Sequence, residues 1–260
     1  MSAHLIVLLS ATLAFAFPGG DEPQAPAVQA APVQPIAAEP APAPAPKAAG
    51  NVSGKISWEG AAPKRKKIEM EDADAKCHAQ HQGKEVLDEV FVVNGDALQW
   101  VFVSVKKGLE GKKFETPKDP VVLDQLGCVY QPHVFGVFQN QTIEIRNSDP
   151  TMHNIHSYPK KSKLFNEAMP TQGMKINKTF TAKEMVPIKC DVHKWMSSFC
   201  HVVDHPFFAV SGADGKFAFP EPLPPGEYEI EAWHEKLPPQ TLKITVAADK
   251  ACEANFTFKQ

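Results

Sequence analysis

Three residues that could bind a metal ion lie close together in the segment PIKCDVHKWMSSF. Cys190, His193 and Met196 follow the pattern C-x-x-H-x-x-M, which supplies a thiolate, an imidazole and a thioether. Thiolate and thioether ligands select soft metal ions such as copper, and an imidazole suits copper as well. The pattern therefore predicts a copper-binding loop that still needs one more ligand.

Two histidines in the upstream segment RNSDPTMHNIHSYP could supply that ligand, His153 and His156. Two histidines, one cysteine and a weak axial methionine form the ligand set of blue-copper electron-transfer sites. Side chains three residues apart on a strand point to opposite faces, so we expect only one of these histidines to bind the ion. The residue types alone leave the choice open.

The two segments together resemble the cupredoxins, the small blue copper proteins. In that family a strand leads through an N-x-D turn to a first histidine followed by asparagine. The matching residues here are Asn147, Asp149, His153 and Asn154. The gaps of two residues on either side of His193 are most similar to those of the amicyanin loop. The resemblance covers residues 120–204 and implies a Greek-key β-sandwich.

The resemblance also implies one type 1 copper ion and its ligands. These would be His153, Cys190, His193 and Met196. His153 is favoured over His156 because it precedes Asn154, as in the family motif. His156 is then an alternative ligand, a residue that supports the ligands, or a docking residue.

Other residues around this site are expected to support it. The resemblance implies a hydrogen bond from Asn154 to the Cys190 loop. His193 is expected near the surface, as the exit route of the electron. Trp195 is either an apolar rim around that imidazole or a core aromatic. Two other methionines could replace Met196 as the axial ligand, namely Met152 and Met185.

The flanking segments carry a second resemblance. SGADGKFAFPEPLPPGEYEIEAWHE contains D-G-x-F and P-P-G-x-Y turns similar to those of the carboxypeptidase-regulatory-like β-sandwich, an Ig-like or transthyretin-like fold. GKISWEGAAP resembles the opening of the same fold. We expect an all-β protein in which residues 51–117 and 205–260 form one sandwich around a cupredoxin domain of residues 118–204. The alternative is two consecutive domains, with the first segment adding strands to the cupredoxin.

The chain contains five cysteines, an odd number. If Cys190 binds copper, four cysteines remain for two disulfides. The preferred pairs are Cys77–Cys128 and Cys200–Cys252, because each pair joins segments that we expect to be neighbours. The sequence alone does not fix this connectivity.

The N-terminal residues are typical of an exported protein. Residues 1–17 contain an apolar run and an A-F-A cleavage pattern, which predict a signal peptide, with an uncleaved anchor as the alternative. Residues 18–50 are rich in proline and alanine, a composition that favours an extended, disordered linker. This segment would hold the folded part away from a membrane or cell surface, or it is a passive tail. We expect a periplasmic or extracellular protein.

Composition and motifs narrow the function. The net charge of −3 gives no general attraction to nucleic acid, and the sequence contains no phosphate-binding loop and no hydrolase or metalloprotease motif. We therefore expect no enzyme, but a carrier of single electrons between redox partner proteins. Proteins with this combination of domains are often labelled methylamine-utilisation proteins. The alternatives are a copper storage or delivery protein and a cell-surface β-sandwich module whose copper is incidental.

Overall fold

The computed structural model describes residues 50–248 and 250–260 of the chain. The protein is all-β, and its strands form two β-sandwiches accompanied by two short helices. The predicted signal peptide and nearly all of the predicted linker lie outside the described residues. No helix in the described part is long and apolar enough to cross a membrane.

The elements follow one another in three groups. The first group is β1 (Val52–Trp58), α1 (Met70–Ala73), α2 (Ala75–Gln80), β2 (Val93–Asn94), β3 (Ala97–Leu98) and β4 (Phe102–Lys107). The central group is β5 (Val121–Gln125), β6 (Tyr130–Gln131), β7 (Val134–Phe138), β8 (Ile143–Asn147), β9 (His153–Ser157), β10 (Asn166–Met169), β11 (Lys175–Lys178), β12 (Glu184–Lys189) and β13 (Ser197–Val203). The last group is β14 (Phe208–Val210), β15 (Lys216–Ala218), β16 (Gly226–His234), β17 (Leu237–Val246), β18 (Cys252–Glu253) and β19 (Phe256–Phe258).

The central sandwich consists of the sheets β10-β9-β12-β13-β7 and β11-β8-β5-β6. Buried residues alternate with partly exposed ones along β8, because successive side chains on a strand point to opposite faces. The inward faces of both sheets share one core, whose fully buried members include Leu123, Ile145, Phe180 and Ile188. This core supports the strand ends from which the predicted ligands extend.

Strands from both ends of the described chain build the outer sandwich. One sheet has the order β15-β1-β3-β2, with β18 and β19 also paired to β1, and the other has the order β14-β4-β16-β17. The two sheets share a core that includes Ile56, Val103, Ile230 and Phe258. Among the described strands, β1 pairs with β3, β15, β18 and β19, so it adds nothing to the sheets of the central sandwich.

Residues 69–82, which we call the cap, pack on the central sandwich. Met70 and Cys77 are buried in the central core, and a disulfide joins Cys77 to Cys128 after β5. This position differs from the expectation that all of residues 51–117 belong to the outer sandwich. The buried methionine and the disulfide attach the cap to the central core instead.

The second expected disulfide, Cys200–Cys252, was a wrong prediction. Cys200 is a buried free thiol on β13 in the central core. Cys252 is a half-buried free thiol on β18, beside the outer core. The two cysteines therefore belong to different sandwiches and cannot form a bond without moving whole strands.

An aromatic layer lies where the two sandwiches meet. The ring of His201 stacks on Phe102 with centroids 4.0 Å apart, and its centroid is 4.5 Å from that of Trp233. The Nε2 atom of His201 is buried without a hydrogen-bond partner. Burial lowers the pKa of His201 to about 3, because an imidazolium ion would lose its hydration there. The layer therefore contains a neutral ring.

Removing the Cys77–Cys128 disulfide should destabilise the protein. In the chain-entropy description, a crosslink across 51 residues contributes about 4 kcal/mol. We expect the Cys77→Ser, Cys128→Ser double variant to lose a similar free energy of unfolding in denaturant titrations of metal-free protein. Cys252→Ser removes a free thiol and is the matched control, with an expected change below about 0.5 kcal/mol. An unchanged midpoint for the double variant would contradict this role.

The neutral ring of His201 predicts a loss of stability in acid. The unfolded chain binds a proton at this residue below the ordinary pKa of 6.5, whereas the folded protein does so only at about pH 3. The folded state binds fewer protons than the unfolded state between these values. Its free energy of unfolding therefore decreases as the pH is lowered, by up to about 1.4 kcal/mol per pH unit. His201→Phe should make this slope shallower in urea unfolding measured across that range. Parallel slopes for the two proteins would refute the assignment.

Candidate metal centre

The structure brings His153, Cys190 and His193 together in one pocket of the central sandwich. His153 is the first residue of β9, Cys190 follows the last residue of β12, and His193 lies in the turn before β13. The Sγ atom of Cys190 is 3.9 Å from Nδ1 of His193, and the Nδ1 atoms of the two imidazoles are 2.9 Å apart. All three residues are at most 3% exposed. Three donor atoms therefore converge at a point closed from water.

The local backbone explains this convergence. Strands β9, β12 and β13 are neighbours in one sheet, so the ends that carry the donors meet at one edge. The turn between β12 and β13 closes on itself, because Cys190 N–H donates to the Met196 carbonyl and Met196 N–H donates to the His193 carbonyl at 2.9 Å. The N–H of His193 also donates to Cys190 Sγ at 3.3 Å, which stabilises a thiolate.

A carboxylate holds each imidazole on the side away from the other. Nε2 of His153 is 2.8 Å from Oδ2 of Asp149, and Nε2 of His193 is 3.1 Å from Oδ2 of Asp74. An ionised carboxylate only accepts hydrogen bonds, so each Nε2 carries a proton and donates it. In neutral imidazoles the two Nδ1 lone pairs then face each other. A cation, either a proton or a metal ion, is needed to make that arrangement favourable.

The donor types fit the copper ion that the resemblance implies. Thiolate and imidazole ligands suit copper, and metal-binding histidines commonly donate their second N–H to a carboxylate. Two neighbouring groups of possible ligands include the sulfur of Cys77 or Cys128. Both of those sulfur atoms are in the disulfide, so they offer no thiolate. The free thiol of Cys190 is therefore the sulfur donor of this pocket.

The residues of the pocket shift one another's protonation. Burial alone would raise the pKa of Cys190, but hydrogen bonds from the His153 imidazole and from the backbone N–H of His193 lower it to about 6. Burial opposes a charge on His153 as well, yet Asp149 and Cys190 raise its pKa to about 9. Cys190 and Asp74 likewise raise the pKa of His193 against the effect of burial. Without metal the pocket therefore holds a thiolate facing an imidazolium, whose positive charge a bound metal cation would replace.

Of the three methionines considered as a fourth ligand, Met196 is the one hydrogen-bonded through its backbone to Cys190. It is 1% exposed and packs in the same core as Cys190. Of the two possible replacements, Met152 is 46% exposed. Met185 lies at the end of β12 that is opposite to Cys190.

Two asparagines fix the segments that carry the donors. The side-chain oxygen of Asn154 accepts the N–H of Asp191, and its amide donates to the Asp191 carboxylate at 3.1 Å, which joins β9 to the Cys190 loop. The amide of Asn147 donates to the Thr151 carbonyl at 3.0 Å and so shapes the turn before β9. These bonds keep the histidine of β9 in a fixed position relative to the thiol.

His193 is not near the surface, contrary to the expectation for an exit route, because it is 2% exposed. The cap covers its Nε2 edge, where Asp74 accepts its N–H and the Sγ of Cys77 lies 3.5 Å away. Trp195 packs beside it, with ring centroids 5.1 Å apart, and donates its indole N–H to the Cys128 carbonyl. Trp195 is partly buried against the central core, and because His193 is itself buried, the structure supports the core reading and not a rim around an exposed imidazole.

His156 lies outside the group of donors. It is partly exposed, three residues after His153 on β9. Its Nδ1 lies 3.0 Å from the carboxylate of Asp191 and 3.0 Å from the hydroxyl of Tyr158. Asn166 completes this polar surface cluster. The structure thus places His156 among surface hydrogen bonds and His153 among the donors.

Asp74 is the site residue that sequence reasoning missed. It lies 119 residues before His193, in a segment without strong periodicity. The available signal was an aspartate directly before a short helix that contains a cysteine, which is typical of an N-cap and says nothing about a metal. Asp149 was recognised as a turn residue, and its contact with His153 was not predicted.

No family model matches this chain, and no curated protein matches it. Some solved structures resemble part of it. A copper-containing nitrite reductase from Thermus scotoductus is 21% identical, with a TM-score of 0.32, over 36% of this chain and 24% of its own. A purple cupredoxin from Nitrosopumilus maritimus is 19% identical, with a TM-score of 0.29, over 32% of this chain and 99% of its own. An oxidised amicyanin variant is 17% identical, with a TM-score of 0.30, over 39% of this chain and 98% of its own. These likenesses are too weak to carry a function, which has to be argued from the pocket.

Proposed function

We propose that this chain is an exported protein with one type 1 copper ion that carries single electrons between redox partner proteins. The observation that carries the proposal is the convergence of two imidazole Nδ1 atoms and the Cys190 thiol in a buried pocket. The buried Met196 adds the fourth donor, and the third donor type, of a blue-copper site. When bound, the copper would hold or release one electron by alternating between Cu(II) and Cu(I).

The chain would hold the ion in a rigid frame. His153 and the Cys190 loop extend from neighbouring strands, and both imidazoles are tied to carboxylates at their outer nitrogens. Such a frame limits how far the ligands move when the charge of the ion changes, which favours fast electron transfer. The proton on His153 has to leave before its Nδ1 can bind, so metal binding should release a proton.

We propose a carrier and not an enzyme. An enzyme would need an open coordination position or a carboxylate in place of the methionine, and Glu167 on β10 and Glu184 on β12 are carboxylates of the same sandwich. Glu184 accepts the backbone N–H groups of Lys160 and Lys161 at the surface. Glu167 pairs with Lys178 at the surface. Both carboxylates have other partners, which supports a site that binds copper without a substrate.

The proposed location is the periplasm or the extracellular space. Disulfides such as Cys77–Cys128 persist in oxidising compartments, which supports export. The N-terminal segment would then bring the folded part close to a membrane. The partners would be redox proteins, and the net charge of −3 favours no nucleic acid.

A second candidate is copper storage or delivery. The burial of His193 under the cap favours it, because a covered imidazole lengthens the distance to any partner protein. A storage protein would exchange electrons slowly and lose copper readily to a chelator. An electron carrier would do the opposite, so electron self-exchange and copper-loss rates separate the two functions.

The visible and electron paramagnetic resonance spectra of the Cu(II)-loaded protein test the first proposal. We expect an intense thiolate-to-copper absorption band and a small copper hyperfine splitting. Cys190→Ser should abolish the band because it removes the thiolate. His153→Ala should disrupt it, while His156→Ala, the matched control on the same strand, should leave it unchanged. A pale spectrum with an ordinary hyperfine splitting in the wild-type protein would exclude type 1 copper.

The metal-free protein should contain one thiolate near neutral pH. We expect the ultraviolet absorbance of a thiolate to appear with a midpoint at about pH 6, the pKa of Cys190. His153→Ala should raise this midpoint because it removes a hydrogen bond to the thiolate. Cys190→Ser should remove the step, since burial raises the pKa values of Cys200 and Cys252. A step that survives in Cys190→Ser would show that another group titrates.

A further inference from the structure

We propose that Asp74 is a positioning residue of the metal site: its carboxylate holds the His193 imidazole so that Nδ1, and not Nε2, faces Cys190. Oδ2 of Asp74 lies 3.1 Å from Nε2 of His193, on the side away from the other donors. This role presupposes the proposed metal site. It does not require that the bound ion be copper or that it transfer electrons.

The carboxylate is itself held at both oxygens. Oδ1 of Asp74 accepts the N–H of Lys76 at 2.8 Å and the N–H of Cys77 at 3.3 Å, at the start of α2. Oδ2 also accepts the hydroxyl of Thr151 at 3.1 Å, in the turn before β9. Asp74 therefore needs little reorganisation to bind His193, which is the condition for a residue that sets the position of another.

The disulfide joins the two carboxylates that hold the imidazoles. The N–H of Cys77 donates to Asp74, and the N–H of Cys128 donates to Asp149 at 2.7 Å. The Cys77–Cys128 bond thus connects one carboxylate support to the other. The relative positions of the two imidazoles are consequently fixed from outside the Cys190 loop, by the cap and by the turn that contains Cys128.

No other polar atom of the described cap is placed to select the tautomer of His193. The other cap atom near Nε2 is the Sγ of Cys77 at 3.5 Å, a weak acceptor within a disulfide. Without the carboxylate, the imidazole could offer either nitrogen to a metal ion. The negative charge also makes Nδ1 a stronger donor and favours the more highly charged oxidation state of an ion bound there.

Nitrogen NMR of the Zn²⁺-loaded wild-type protein tests the orientation directly. Zinc is used because it binds imidazole and thiolate without any change of oxidation state. We expect His193 to show a metal-bound Nδ1 and a protonated Nε2. A metal-bound Nε2 in His193 would overturn the proposal, and this measurement needs no variant that has to fold.

Two variants of Asp74 and one control test the energetic role. Asp74→Asn keeps an oxygen for the start of α2 but removes the charge and the acceptor for His193, and Asp74→Glu restores a carboxylate. Glu71→Gln removes an exposed negative charge from the same cap and is the control. We expect Asp74→Asn to weaken Zn²⁺ binding by about 10- to 100-fold in chelator competition, with partial rescue in Asp74→Glu and no change in Glu71→Gln. The reduction potential of the copper form should rise in Asp74→Asn alone.

The outcomes separate this inference from the proposed function. If Asp74→Asn weakens Zn²⁺ binding while the wild-type copper spectrum is not of type 1, Asp74 is a positioning residue of a site with another function. If the spectrum is of type 1 and Asp74→Asn keeps the wild-type affinity and potential, the positioning role is wrong and the electron carrier remains. A loss of affinity that Glu71→Gln shares would indicate a general effect of charge and would also refute the role.

Discussion

The arrangement of this protein depends on two imidazole nitrogens held face to face in a buried pocket. Two lone pairs 2.9 Å apart repel each other unless a cation lies with them. Asp149 and Asp74 keep the imidazoles in this position by binding their outer nitrogens. Burying an imidazole or a carboxylate costs free energy unless its hydrogen-bond partner is buried with it. The pocket is therefore stable only when both imidazoles and both carboxylates are in place. The cap, the disulfide and the central sandwich together keep it complete.

The two sandwiches contribute differently to this pocket. The central sandwich supplies every donor and one carboxylate, and the cap supplies the second carboxylate. None of the residues described at the site belongs to the outer sandwich. The outer sandwich instead meets the central one through an aromatic layer around His201. The Nε2 atom of His201 has no hydrogen-bond partner, so this ring contributes to the contact by packing. The pocket and its supports therefore lie in the central sandwich and the cap, apart from the core of the outer sandwich.

The sequence predicted the all-β class and the grouping of His153, Cys190 and His193, because both follow from local patterns. The spacing of Cys190, His193 and Met196 indicated a loop, and the asparagine after His153 favoured this residue over His156 as its neighbour. The cap over His193 was not predicted, because it depends on long-range packing of two short helices whose own periodicity is weak. The Cys200–Cys252 pair failed for a related reason, since nothing local indicates to which of two cores a strand cysteine belongs.

The pairing of β1 has a consequence for the order in which this chain can fold. Its parallel partners β18 and β19 lie about two hundred residues later, so β1 has to wait for nearly the whole folded part to be made. The strands β5 to β13 form a continuous stretch that can pair within itself before those partners exist, and the cap precedes this stretch in the chain. During that interval β1 can pair only with β3 and β15, so the edge that β18 and β19 later cover is open to association with another chain. The central sandwich can thus form first, and the pairing of β1 with β18 and β19 is the step at which assembly is most exposed to error.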